Sequence, residues 1–270
     1  MTHGIAASRG VLALPQGEAR PDVTRWAPPA GLAACVAYAW RVEWNLKTAA
    51  AHRQETAPHP NTYLVLDSSK LTVAGVSRRR FTRTLEGAGW AFGVKFRPGG
   101  LRAFVDWPMA DITDRTLPAE EIFGEGATTL RHALLHAASP AMLPNLTFEF
   151  LGHRIGVVDP AIERAAALVD RILTTSAIKT VDDLAQCSRL SVRALQRIFR
   201  EFVGVSPKWV IQRYRLHELI ARLQGGGKVN WAALAQELGY FDQAHLIKDF
   251  KAVVGRAPEE YRREAASPKI

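Results

Sequence analysis

The strongest constraint on this chain is a phrase written twice in its last hundred residues. Leu184-Ala185-Gln186, Leu195, Phe199, Gly204 and Pro207 return as Leu234-Ala235-Gln236, Leu246, Phe250, Gly255 and Pro258. The first three positions are offset by 50 residues and the last four by 51, so one extra residue sits in the turn of the second copy. Each copy has the same physical reading. A short helix (about 180–187, then about 230–238) presents Leu and Ala inward. A tight turn follows, Ser188-Arg189-Leu190 or Gly239-Tyr240-Phe241, and Gly239 suits a left-handed helix-ending position. The next helix is capped by Ser191 or Asp242. Its apolar face is Leu195, Ile198, Phe199 and Phe202 in the first copy, and Leu246, Phe250, Val253 and Val254 in the second, both at helical spacing. Gly204 or Gly255 ends that helix, and a proline three residues later prevents it from resuming. The pattern predicts a helix-turn-helix, twice.

The opposite face of each second helix is polar and basic. The first carries Arg193, Gln196, Arg197 and Arg200; the second carries Gln243, Ala244, Ile247, Lys248 and Lys251. Arginine can bond guanine bidentately, glutamine can bond adenine, and basic side chains hold phosphate. Between the copies, Ser206 caps and Pro207 opens a helix whose apolar positions are Val210, Tyr214, Leu216, Leu219, Ile220 and Leu223. Gly225-Gly226-Gly227 is expected to stop it. About 16 residues make a rod near 24 Å long. Such a rod could place two reading helices in successive major grooves, about 34 Å apart on one face of a duplex.

The rest of the chain has a different period. A length of 270 residues predicts about two domains. Val36, Tyr38, Trp40, Val42 and Trp44 alternate with smaller or polar residues, as do Trp90, Phe92, Val94 and Phe96. Residues 63–66, 71–76 and 81–86 are further short β-prone runs. Pro, Gly, Asn and Ser clusters separate them, which predicts an antiparallel, barrel-like sheet. Leu130, Ala133, Leu134 and Ala137 then form a helical stripe, with helices expected at about 126–137 and 145–152. Asp159-Pro160 opens the helical remainder with an N-cap and a proline at the first helical position. The expected fold is α+β in two domains: a β-rich sensor or dimerisation domain over 1–152, a linker over 153–158, and an all-α double helix-turn-helix domain over 159–270.

Composition supports this frame. Hydrophobic residues make up 47% and charged residues 23%, ordinary for a chain with a sizeable core. The net charge is +9, with +4 on residues 1–158 and +5 on the shorter segment 159–270, which favours a polyanionic partner. Two cysteines cannot make a disulfide framework or a four-cysteine zinc site. No membrane span is expected, and Met1–Gly17 lacks a cleavage site for a signal peptide. The expected compartment is the cytoplasm. Phosphate-binding glycine loops, Gly-x-Ser-x-Gly and His-Glu-x-x-His are absent, so an enzyme is not expected.

At the repeat, the chain resembles the DNA-binding domain of the AraC/XylS family of bacterial transcription regulators. The resemblance covers about 159–264. One family pattern is met by Ser191, Leu195, Arg197, Phe199, Gly204, Ser206 and Pro207. The downstream signature is met by Gly239, Tyr240, Asp242, His245, Phe250, Lys251, Gly255 and Pro258. Two positions depart from it: Leu246 stands for the usual Phe, and Lys248 for the usual Arg, which loses a bidentate grip. The resemblance implies sequence-specific promoter binding, usually for activation, with RNA polymerase as a protein partner and no cofactor. Its base-reading positions fall on Arg193, Gln196 and Arg197, then Gln243, Ala244 and Lys248. His245 is read as a packing or backbone-bonding residue, and Ser191 and Asp242 as caps. Family members often carry a small β-rich sensor joined to dimerising helices, which leaves a small-molecule effector and a homodimer open here. Glu55–Asn61 and Gly93–Gly100 resemble a poorly characterised N-terminal module of the same family.

The N-terminal part holds further candidates. Trp40, Glu55, His59 and Trp90 are candidate ligand-binding residues, with Trp44, Phe92 and Phe96 as companions in an apolar cavity or as barrel filling. Glu55 and His59 could serve a metal, but no His-x-His pair supports them, and a loop or pocket wall is the default. Cys35 could accept alkyl groups; its apolar context reads as core, as does Cys187 on the first short helix. Arg78-Arg79-Arg80 reads as a solvated turn or an extra DNA contact. The alternative to a regulator is thus a DNA-tethered enzyme, or an alkyl-accepting or cupin-like sensor, using Cys35 or Glu55/His59. A third reading is a DNA-bending protein without sequence preference.

Overall fold

Period-two alternation and β-branched or aromatic residues produce strands where residues 36–45, 63–74 and 88–96 place them. A computed structural model describes Leu12 and residues 21–46, 52–225 and 229–266. The region read from Met1–Gly17 lies outside the described residues apart from Leu12, as do Gly226 and Gly227. The strands are β1 (Asp22–Trp26), β2 (Val36–Asn45), β3 (His52–Thr56), β4 (Tyr63–Asp67), β5 (Lys70–Ala74), β6 (Phe81–Leu85), β7 (Ala88–Phe96) and β8 (Thr116–Pro118). Helices follow: α1 (Glu120–Phe123), α2 (Glu125–Leu135), α3 (Met142–Gly152), α4 (Pro160–Thr174), α5 (Val181–Ser188), α6 (Val192–Ile198), α7 (Pro207–Gln224), α8 (Trp231–Glu237), α9 (Gln243–Val254) and α10 (Pro258–Ala266).

The N-terminal sheet is antiparallel but does not close into the expected barrel. Six strands run in the order β1-β2-β7-β4-β5-β8, and among the described residues β3 pairs with β6 in a separate ribbon. Closure would require β1 to meet β8. Instead each sheet face is covered by other elements. One face, with Ala39, Leu64, Leu66, Val73, Phe92 and Val94, packs with Leu130, Leu134 and Phe148 of α2 and α3. On the other face Trp44 and Ala91 pack with Leu85 of the ribbon.

Capping fixes where the C-terminal helices begin. The Asp159 carboxylate accepts from Ala161 N at 2.8 Å, with Pro160 in the first turn of α4. Ser206 accepts from Trp209 N at 3.2 Å to start α7. At 18 residues, α7 is about 27 Å long. It serves two separate cores. Val210, Ile211 and Tyr214 join Ile162, Leu184, Leu195 and Phe199, whereas Leu216, Leu219, Ile220 and Leu223 join Leu234, Leu246 and Phe250.

Candidate nucleic-acid interface

Each motif is built by the same local devices. In the first, Thr180 and Asp183 form a reciprocal capping box at the start of α5. Ser191 then accepts from Ala194 N at 3.2 Å to start α6. In the second, Asn230 caps α8, and Asp242 accepts from His245 N at 2.7 Å to start α9. The turns are equivalent too. Gly239 has φ +76° and, at the matching place in the first motif, Arg189 has φ +57°. Arg189 therefore adopts a backbone conformation that only glycine enters freely. The first reading helix ends in a π-helical turn, Phe199–Val203, rather than as continuous α-helix.

Burial splits each reading helix into two faces. Leu195, Phe199, Leu246 and Phe250 are fully buried. Arg193, Gln196, Arg197 and Arg200 are all exposed, and so are Gln243, Ala244, Lys248 and Lys251. Ile247, placed on the polar face by its spacing, is half-buried against the second core. His245 is exposed, with its ring edge-on to Tyr240 at 5.4 Å between centroids. The Tyr240 hydroxyl donates to Asp249 at 2.8 Å, and burial together with that carboxylate raises the phenol above its ordinary range.

Sequence reasoning missed the buried charges on α7. Arg215 is 5% exposed and donates to Thr175 O at 2.9 Å and to Ile178 O at 2.7 Å, tying the α4–α5 loop to the linker helix. Arg213 lies over the Trp209 ring at 4.9 Å, and burial lowers its pKa. His217, 3% exposed, donates from Nε2 to Pro58 O at 2.9 Å and meets His59 edge-on at 4.3 Å. Their signal, if any, was polar residues interrupting the apolar stripe of a long helix.

The remaining candidates are dispersed. The register pairs Trp40 with Gly93 but Glu43 with Trp90, so Trp40 and Trp90 lie on opposite sheet faces and line no common cavity. Phe92 and Phe96 are wholly within the helix-covered core. Glu55 is in strand β3 and not in a loop; it is 4% exposed and paired with Arg53, Arg80 and Arg256. Its carboxylate faces cations on three sides, an environment unsuited to a metal ion. Cys35 is fully buried, and burial pushes its thiol up to about 11, which suppresses the nucleophilic thiolate. Cys187 corrects the expectation: it is exposed, because the buried side of α5 runs through Leu184 and Cys187 lies off its flank. Arg78-Arg79-Arg80 is more than a solvated turn. Arg78 pairs with Asp114 at 2.6 Å, and half-buried Arg80 reaches the end of α9.

Comparison with known proteins agrees with the duplicated motif. Residues 184–264 match the family model of a helix-turn-helix domain, and residues 24–118 match a domain of unknown function (DUF6597). The chain is 32% identical over 117 residues to an AraC-like transcription regulator of Streptomyces lividans, covering 43% of this chain and 38% of that one. A relative from Streptomyces antibioticus with the same description is 33% identical over 112 residues, covering 42% and 36%. The C-terminal domain is an AraC-type helix-turn-helix domain. This chain spans less than two fifths of the length of those relatives. Similar solved structures include ToxT from Vibrio cholerae, at 15% identity and a TM-score of 0.36, covering 92% of this chain and 99% of that one. Another is the xylose-binding transcription activator xylR, at 21% identity and 0.31, covering 42% and 29%. Among the described residues no helix is long and apolar enough to cross a membrane.

Proposed function

We propose that this chain is a sequence-specific transcription regulator that reads two successive major-groove segments of a promoter through α6 and α9. The observation that carries the reading is the repeat-matched exposure of Arg193, Gln196, Arg197 and Arg200 with Gln243, Ala244, Lys248 and Lys251, each set opposite a fully buried phenylalanine. Arg197 and Gln196 are the base readers of the first motif. Lys251 and Arg200, a turn further along, hold phosphate. The kinship of the AraC-type domain supports activation through RNA polymerase at the bacterial nucleoid. The N-terminal domain supplies the input, by taking up a signal or a second copy of the chain.

Two substitutions separate base reading from phosphate holding. Arg197→Ala is expected to weaken binding to the selected site by about 1–3 kcal/mol and to relax preference at one base pair. Affinities for single-base variants of that site test this, and an unchanged ranking would reassign Arg197 to phosphate. Lys251→Ala is expected to weaken binding to all duplexes alike and to flatten the log–log salt slope by about one unit. A titration at several salt concentrations reads it directly, and an identical slope removes Lys251 from the interface.

A further inference from the structure

The two reading helices end at repeat-equivalent glycines, and the N-terminal domain touches both ends. At Gly204 (φ +92°), the Thr113 hydroxyl donates to Gly204 O at 2.6 Å. A side chain there would meet Met109 O at 2.8 Å, so glycine is required by both the turn and the contact. At Gly255 (φ +85°), the Arg80 guanidinium donates to the preceding carbonyl, Val254 O, and lies against the glycine. Arg80 is itself held by Glu55 at 3.2 Å, and Glu55 also meets Arg256 at 3.5 Å.

The loops that carry these contacts are bolted together. Gly75 N donates to Arg115 O at 3.0 Å and Asp114 N to Val76 O at 2.9 Å. The Asp114 carboxylate accepts from Arg78 N at 2.7 Å and from Arg78 Nε at 2.6 Å. The result is a single bracket, residues 75–80 with 109–115, gripping one reading helix at each end. Without it, the two motif cores are joined by α7 and by Lys179, whose ammonium donates to Gln236 O at 3.5 Å beside Gly239, and one helix with one long, flexible side chain leaves their relative angle soft.

We propose that this bracket sets the separation and angle of the two reading helices, so that residues outside the AraC-type domain determine which half-site spacing the protein accepts. Thr113, Arg80, Asp114 and Glu55 are positioning residues in this scheme. The inference rests on the two-groove reading above. It deepens that reading by assigning spacing selectivity to the N-terminal domain.

The test uses the full chain and duplexes selected from a random-sequence library. Fragments carrying the selected pair of half-sites are then lengthened or shortened by one base pair between them. The native protein is expected to lose about tenfold in affinity at the altered spacings, since each base pair rotates one half-site relative to the other. Arg80→Ala and Thr113→Val are each expected to reduce that penalty to about threefold or less, while single-base preferences within each half-site stay as in the native protein. A spacing penalty equal to the native one in both variants would overturn the bracket. Should Arg80→Ala fail to fold, Thr113→Val, which removes one hydroxyl, carries the test alone with the same two outcomes. If the native chain selects no paired half-sites at all, it is the two-groove reading that fails, and the bracket with it.

Discussion

Glu55→Ala is expected to destabilise the protein by about 3–5 kcal/mol, because removing one partner from a buried ionic cluster strands the charges that remain. Glu55 is 4% exposed and faces Arg53 at 3.2 Å, Arg80 at 3.2 Å and Arg256 at 3.5 Å. Arg53 is mostly exposed and can return to water, so its share is small. Arg80 and Arg256 are about a quarter exposed; Arg256 keeps Glu264 at 3.1 Å, so the stranded charge is chiefly that of Arg80, which the structure holds where Glu55 was. Equilibrium unfolding in urea measures the loss. The same substitution in an Arg256→Met background is expected to cost less, because one of the cations facing Glu55 is gone. A loss below about 1 kcal/mol, or equal losses in the two backgrounds, would show that the cluster is solvated and does not bind the domains together.

Phe250→Ala is expected to cost about 3–5 kcal/mol, through lost transfer energy and the cavity left behind. Phe250 is fully buried and sits edge-on to Tyr261 at 5.7 Å, which adds an aromatic contact to the loss. The damage has a predicted location. Phe250 belongs to the core of the second motif, whereas its counterpart Phe199 belongs to the core built on α4 and α5. Amide hydrogen exchange is expected to accelerate over α8–α10 and to stay slow over α4–α6. DNA binding then falls to what the first motif supplies alone. Uniform acceleration over all the helices would mean that the two motifs unfold as one unit.

Much of the C-terminal domain was legible because its signals are local. Ser191, Ser206, Asp159 and Asp242 act as caps within three residues of their partners, and all four hydrogen bonds are present. The offset of the repeat located the inward phenylalanines and the outward polar face together. β2 and β4–β7 were legible as strands, whereas β1 and β8 carried no strand signal and the Glu55 segment reads as a loop where β3 lies. Its sequence, His-Arg-Gln-Glu-Thr, has no apolar alternation, and its only pairing partner in the described structure is β6. Arg80, Thr113 and Asp114 gave no periodic signal at all, since each acts from a polar loop.

The sequence alone determined the number of helix-turn-helix motifs, the ends of their helices and the face that each turns outward. Spacings of three and four residues decide those things, whatever else the chain does. Only the tertiary structure decided that the sheet stays open, that Trp40 and Trp90 lie on opposite faces of it, and that Glu55 is enclosed by Arg80 and Arg256. Those outcomes depend on strand register and on contacts between residues up to two hundred positions apart. No local pattern encodes such contacts, because their energy exists only once both partners have been brought out of water to the same place.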